Sequence, residues 1–279
     1  MNPHAPARTS PVALATGLWV NRELIFAMIK REVVGRYRGS AMGLLWSLLT
    51  PLLMLLVYTF VFSVVLKARW SGGGAEIDGG RAQFAILLFV GLIVHGLFAE
   101  VVNRAPGLIL GNVNFVKRVV FPLEVLPVVT AGAALFHAVI SLFILLGAVL
   151  MISGSIPWTA VLFPLVLLPL LMLTLGAAWV LASLGVFMRD VGQVVGLLTT
   201  ILLFLSPVFF PITAVPEFFR PWMQANPLTF AIEQSREVLI FGQTLAWQEW
   251  SLYTVATGVF AWVGYAWFQK TRKGFADVL

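Results

Sequence analysis

Uninterrupted apolar runs of twenty residues or more constrain this chain before anything else does. The first is MGLLWSLLTPLLMLLVYTFVFSVVL, residues 42–66. About 20 helical residues are needed to cross ~30 Å of hydrocarbon. In lipid every backbone N–H and C=O has to be paired inside the structure, which leaves helices or closed barrels. The runs are continuous rather than alternating in polarity, so helices are expected and a barrel is not. Similar runs lie at about 84–103, 125–152, 158–187, 191–210 and 250–268. Only 11% of the 279 residues are charged, where a soluble domain carries about a quarter. The expected fold class is therefore all-α, a polytopic membrane protein with six transmembrane helices that puts both termini on one side.

The polar punctuation fixes an expected organisation. Residues 1–21 carry no long apolar core or cleavage site and read as a cytoplasmic tail. In RELIFAMIKREVVGRYRG, residues 22–39, Phe26, Ile29, Val33 and Tyr37 share one helical stripe, with Glu23, Lys30, Arg31 and Arg38 opposite. Such a segment lies flat at a membrane surface; the alternative is a basic juxtamembrane segment that only sets topology. Glu32 and Arg36 are four apart and expected to pair. The transmembrane domain is expected over 42–269, with Pro51 kinking its first helix, and 270–279 is a second cytoplasmic tail. Residues 211–242 are too polar to cross and too apolar for a plain loop, so short surface or re-entrant helices are expected there. The N-terminal segment, the 104–118 loop, Arg189 and the C-terminal tail hold 13 of the 18 Lys and Arg. By the positive-inside rule those parts are cytoplasmic and 211–248 is external. The net charge of +6 then reports loop asymmetry rather than a nucleic-acid partner.

Several chemistries are not encoded. The chain has no cysteine, hence no disulfide framework or thiol nucleophile. It lacks a GxxxxGK[ST] phosphate loop and an HExxH pair, a GxSxG elbow, and any cluster of acids suited to a divalent cation. An enzyme is not expected. His95 and His137 fall within spans, where a polar group marks either a functional site or a hydrogen bond to a neighbouring helix. Glu100 and Arg104 read as a local ion pair. In VNFVKRVVFPLEVLP, residues 113–127, Pro122 should break the helix, and Glu124 should sit at the positive end of the following helix dipole.

Five segments taken in order resemble a known family: RELIFAMIKREVVGRYRGSAMGLLWSLLTPLLML, VNFVKRVVFPLEVLPVV, RDVGQVVGLLTTILLFLSPVFFPI, NPLTFAIEQSREVLIFG and FADVL. The family is that of the permease subunits of ATP-binding-cassette transporters that export bacterial cell-surface polysaccharides (O-antigen, capsule, teichoic acid). The resemblance implies a homodimer in the bacterial inner membrane, docked on two copies of a separate ATPase that uses ATP and magnesium, with no cofactor bound by this chain. It makes 22–39 an interface helix, with Lys30, Arg31, Arg36, Tyr37 and Arg38 as its polar contacts. It makes 104–121 a coupling loop, with Gly111, Asn112, Asn114, Phe115, Lys117 and Arg118 at the ATPase. It makes 211–242 an external gate that includes Pro211, Phe218, Phe219 and Trp222. Aromatic faces suit passing sugars, and Trp46, Phe89, Phe98 and Phe209 are candidates to line a pore; the alternative is that they face lipid or core. Against this reading stand a drug or small-lipid exporter permease of similar topology and a stand-alone lipid-linked sugar flippase.

Overall fold

The structure, a computed structural model, describes residues 9–65, 80–117 and 121–279. The described residues form helices and turns without strands. Inside the segment assigned as a tail, α1 spans Pro11–Val20; the Ser10 side chain caps it by accepting from the Ala13 amide at 3.1 Å. A 66° bend at Asn21 leads into α2, Arg22–Tyr37. Gly39, at φ +86°, reverses the chain where a side chain would strain it. Helix α3, Leu45–Tyr58, runs through Pro51 and continues as a π-helical turn over Thr59–Val65.

Helix α4, Gly80–Arg104, is the central element, with nearly all of residues 84–95 buried. The stretch QFAILLFVGLIV is apolar all round, as a helix surrounded by other helices must be. Short 3-10 turns and α5, Val113–Lys117, follow. Helix α6, Val125–Ser153, ends at Gly154 in the left-handed region, and α7 spans Phe163–Phe187 after a 3-10 turn over Trp158–Leu162. Helix α8, Val191–Leu205, precedes the short α9, Arg220–Ala225, and α10, Pro227–Arg236. Helix α11, Trp247–Thr271, and α12, Phe275–Val278, complete the chain.

By length and composition, α4, α6 and α7 can each cross a bilayer. The fifth expected span, 191–210, is shorter than the sequence suggested, because Ser206 precedes Pro207 and adopts φ −102°, ψ 154°. A residue before proline is driven out of the helical region. Fifteen residues make only about 22 Å of helix, so α8 stops short of a full crossing. The irregular backbone beyond it is covered by protein, as lipid requires. The Asn226 amide donates to the Leu205 carbonyl at 3.1 Å and to Ser206 Oγ at 2.9 Å.

Helices α7 and α11 form the closest pair. A β-carbon at Gly264 would collide with the Gly176 carbonyl, and one at Gly176 would stand 2.9 Å from Ala261 Cα. Backbones in such contact gain dispersion that lipid cannot replace. Gly264→Ala should therefore destabilise the folded protein by about 1–3 kcal/mol, the cost of overpacking a filled interface. Gly147→Ala, with open space around it, should not. Thermal unfolding of the two variants in one detergent checks this; equal melting temperatures would contradict it.

Candidate functional site

Two helices of opposite charge pattern meet where α2 ends against α4 and α6. Arg36 donates to Glu100 Oε1 at 2.5 Å, and Arg104 pairs with Glu32. Glu100 and Arg104 do approach each other at 3.8 Å, but each has its closer partner on α2. The expected Glu32–Arg36 pair is not among the ion pairs of the described residues; both side chains point inward and cross to α4 instead. On the expected apolar stripe, Val33 is buried and Phe26 is 71% exposed, and Met28 beside the stripe is buried too. Ile29 sits over Gly132 of α6 so closely that any side chain there would strike it.

His137 of α6 completes the cluster. Its Nδ1 lies 2.9 Å from Arg36 Nη1 and 3.4 Å from the Glu100 carboxylate, and its Nε2 lies 3.2 Å from the Tyr37 hydroxyl. Arginine only donates, so Nδ1 accepts from it and the proton rests on Nε2, facing Tyr37. Burial pushes the Tyr37 phenol above its usual range; Arg36 opposes this and Glu100 adds to it. His95 likewise bonds a neighbouring helix, at 3.1 Å from the Thr199 carbonyl of α8, and Thr199 Oγ1 donates to Asn103 at 2.9 Å. Lys30, Arg31 and Arg38 are exposed on α2.

A groove of about 470 Å³ opens beside the cluster between α3, α4 and α6. A second cavity of about 440 Å³ lies on the other side, lined by Glu32, Gly35, Arg36, Arg104, Ala133 and His137. Arg36 and His137 are walls of both.

The 104–121 loop gathers with other basic parts at one end of the bundle. Its Pro106 packs against α7 where a β-carbon at Gly185 would overlap the Pro106 carbonyl. Gly111, Asn114 and Lys117 are exposed, and Asn112 and Phe115 are half-buried. Asn112 Nδ2 donates back to the Leu108 carbonyl at 2.8 Å, and Phe115 stacks on Phe121 at 4.4 Å. Lys117 Nζ donates to the main-chain carbonyl of Leu279, so the closing FADVL segment lies beside α5. Phe275 of that segment is buried against Phe187 and Phe268. Arg118 lies outside the described residues. The break expected at Pro122 is present, with helix resuming at Val125. Glu124 does more than face a helix dipole. Its carboxylate accepts from Arg272 at 3.1 Å and its carbonyl accepts from the Trp179 indole at 3.0 Å, tying the start of α6 to α7 and α11.

At the other end, α9 and α10 form a folded-back segment held by Arg236. This arginine, expected as an external cation, is 1% exposed. It donates to the Leu87 carbonyl at 3.0 Å, the Val208 carbonyl at 2.9 Å and Glu233 at 2.9 Å. Gly91 makes room for it: a β-carbon there would stand 3.2 Å from Arg236 Nη2 and 3.1 Å from Val208 Cα. Of the four aromatics expected to line a pore, Phe89 and Phe98 are buried, Phe209 stacks on Phe204, and Trp46 is exposed on α3. Phe89 alone lines the groove. Phe218, Phe219 and Trp222 are exposed, while Pro211 is half-buried. No group of three His, Cys, Asp or Glu suited to a metal occurs among the described residues.

The family model for the ABC-2 type transporter matches residues 23–240, and the chain belongs to that family. Among curated relatives, the O-antigen export system permease protein RfbA of Myxococcus xanthus is 31% identical over 272 residues, covering 95% of this chain and 99% of the relative. The polysialic acid transport protein KpsM of Escherichia coli is 25% identical over 232 residues, covering 81% and 85%. The capsule polysaccharide export inner-membrane protein CtrC of Neisseria meningitidis is 24% identical over 272 residues, covering 93% and 96%.

The Arg236 site carries a direct prediction. Arg236→Met should cost about 3–5 kcal/mol, because it strands two buried carbonyls and a half-buried carboxylate. Glu233→Gln, whose side chain is 30% exposed, should cost less. Denaturant unfolding of the two variants orders them, and an Arg236→Met protein as stable as wild type would remove the latch.

Proposed function

We propose that this chain is the transmembrane subunit of an ATP-driven exporter that moves a lipid-linked or lipid-anchored cell-surface polysaccharide across the bacterial inner membrane. The observation that carries the reading is the match to an O-antigen export permease, which covers 95% of this chain and 99% of that relative. A drug or small-lipid exporter is the weaker reading, since the relatives named above are polysaccharide transport proteins.

In this reading two copies of the chain form the conduit, each with six spans: α3 with its π-helical continuation, α4, α6, α7, α8 extended by the folded-back segment, and α11. The end that gathers Lys117, Arg189 and Arg272 faces the cytoplasm, in keeping with the positive-inside rule, and both termini lie there. Two copies of a separate ATPase bind ATP and magnesium and dock on the exposed Gly111, Asn114 and Lys117, with Arg118 beside them. Helix α2 is the interface helix, lying at the inner surface with Lys30, Arg31 and Arg38 toward lipid headgroups. Helices α9 and α10, with Phe218, Phe219 and Trp222, gate the outer mouth, and Trp46 and Phe209 face the dimer seam.

Cells lacking this chain should lose the surface polysaccharide and accumulate its lipid-linked form inside. Wild type should restore export, and a Lys117→Glu, Arg118→Glu double variant should not, failing also to co-purify the ATPase. Unchanged surface polysaccharide in the deletion strain, or ATP hydrolysis by the pure chain alone, would contradict the assignment.

A further inference from the structure

The groove between α3, α4 and α6 has two ends of different chemistry. It follows α4 from Phe89 to Glu100 and α3 from Ser47 to Tyr58, twelve residues in each case and so about 16 Å from first to last. One end is polar, with Arg36, Tyr37, Glu100, His137 and Ser141; toward the other the lining is mostly apolar, with Pro51, Met54, Phe89, Leu92 and Ile93 beside Tyr58. A cleft with this gradient fits an amphiphile aligned along the bundle, head at the polar end.

The polar end also selects the sign of that head. Its one carboxylate, Glu100, is already engaged by Arg36 and Arg104. Arg36 makes its hydrogen bonds through Nη1 alone, so its Nε and Nη2 donors have no partner among the described residues, and its side chain is 46% exposed. The Thr50 hydroxyl, on the same wall, makes no hydrogen bond among the described residues either. Charged donors are therefore in surplus, and the one carboxylate is engaged. The surrounding field has the same sign: Lys30 and Arg31 on α2, and Arg38 just past its end, stand exposed without an ion pair among the described residues. Charge-assisted bonds from a guanidinium to phosphate oxygens are among the strongest available to such a site, and clustered cations at this depth draw anionic lipid.

We propose that this groove binds one lipid, with its phosphate against Arg36 and Thr50 and a single hydrocarbon chain along Met54, Leu92, Ile93 and Phe89. The site requires only that the chain be embedded in a membrane. That the lipid is the glycan's carrier rests in addition on the export reading, because a bilayer phospholipid offers the same phosphate-on-chain chemistry.

The test uses the full chain purified in a neutral detergent, with bound lipid read by native mass spectrometry during titration with polyprenyl phosphate, phosphatidylglycerol or phosphate-free polyprenol. Neither ATPase nor glycan is present, so the outcome is independent of export. The better of the two phosphate lipids should bind about tenfold more tightly than polyprenol, the step expected for one charge-assisted contact. Met54→Trp fills the groove from an exposed position; it should reduce phosphate-lipid binding about tenfold and leave the melting temperature unchanged. Arg36→Gln should erase the preference for phosphate over alcohol, and Arg36→Lys should keep part of it. Tighter binding of polyprenyl phosphate than of phosphatidylglycerol identifies the carrier as occupant; equal or weaker binding identifies a bilayer phospholipid, and either result supports the site. Equal binding of polyprenol and polyprenyl phosphate to wild type would overturn the proposal, as would wild-type lipid binding by Met54→Trp.

Discussion

Two crossed ion pairs, Arg36 with Glu100 and Arg104 with Glu32, decide how the N-terminal helix sits on the rest of the molecule. Exposed pairs of this kind are worth little in water, about 0–1 kcal/mol each. Here the four groups form one network with His137 and Tyr37, and the two carboxylates are largely covered, at 19% and 25% exposed. Removing one cation would leave a poorly solvated carboxylate behind, which costs more than the pair itself contributes. The rotation of α2 follows from this network. With Glu32 and Arg36 turned inward, Met28, Ile29 and Val33 are carried onto α6, and Phe26 is turned away.

The same cluster lies one turn from the loop proposed to meet the ATPase. Arg104 is the last residue of α4, and Ala105–Gly107 follows as a 3-10 turn seated on Gly185 of α7. Around α5, Pro106 packs on α7, Arg104 pairs with Glu32 of α2, and Lys117 bonds the C-terminal segment. Glu124 ties the start of α6 to α7 and α11 by two further bonds. The basic end behaves as one cross-linked plate, and the packed pair α7–α11 extends from it toward the other end.

Much of this framework was legible in the apolar runs. The spans expected at 84–103, 125–152 and 158–187 match helices whose ends differ by a few residues, apart from the 3-10 turn that opens α7. The break at Pro122 was legible as well, because proline acts locally. The same rule applied to Pro207 would have shortened the fifth span. What the pattern could not supply was partnership. Glu32 and Arg36 satisfy the local i, i+4 spacing as well as they satisfy Arg104 and Glu100, and only the packing of α2 on Gly132 decides between them. Arg236 reads as a surface cation until Gly91 and the carbonyls of Leu87 and Val208 close around it. The helix at Pro11–Val20 carried a legible signal, Ser10 followed by Pro11, which suits an N-terminal cap.

The central claim is that charge pairing across α2 and α4 fixes the N-terminal helix to the bundle. A charge-swap cycle at Arg36 and Glu100 measures it most directly, with thermal unfolding of wild type, Arg36→Glu, Glu100→Arg and the double exchange in the same detergent. Each single reversal should lower stability by roughly 1–3 kcal/mol, and the double exchange should recover at least half of the summed loss. Additive losses, with no recovery in the double exchange, would contradict the account.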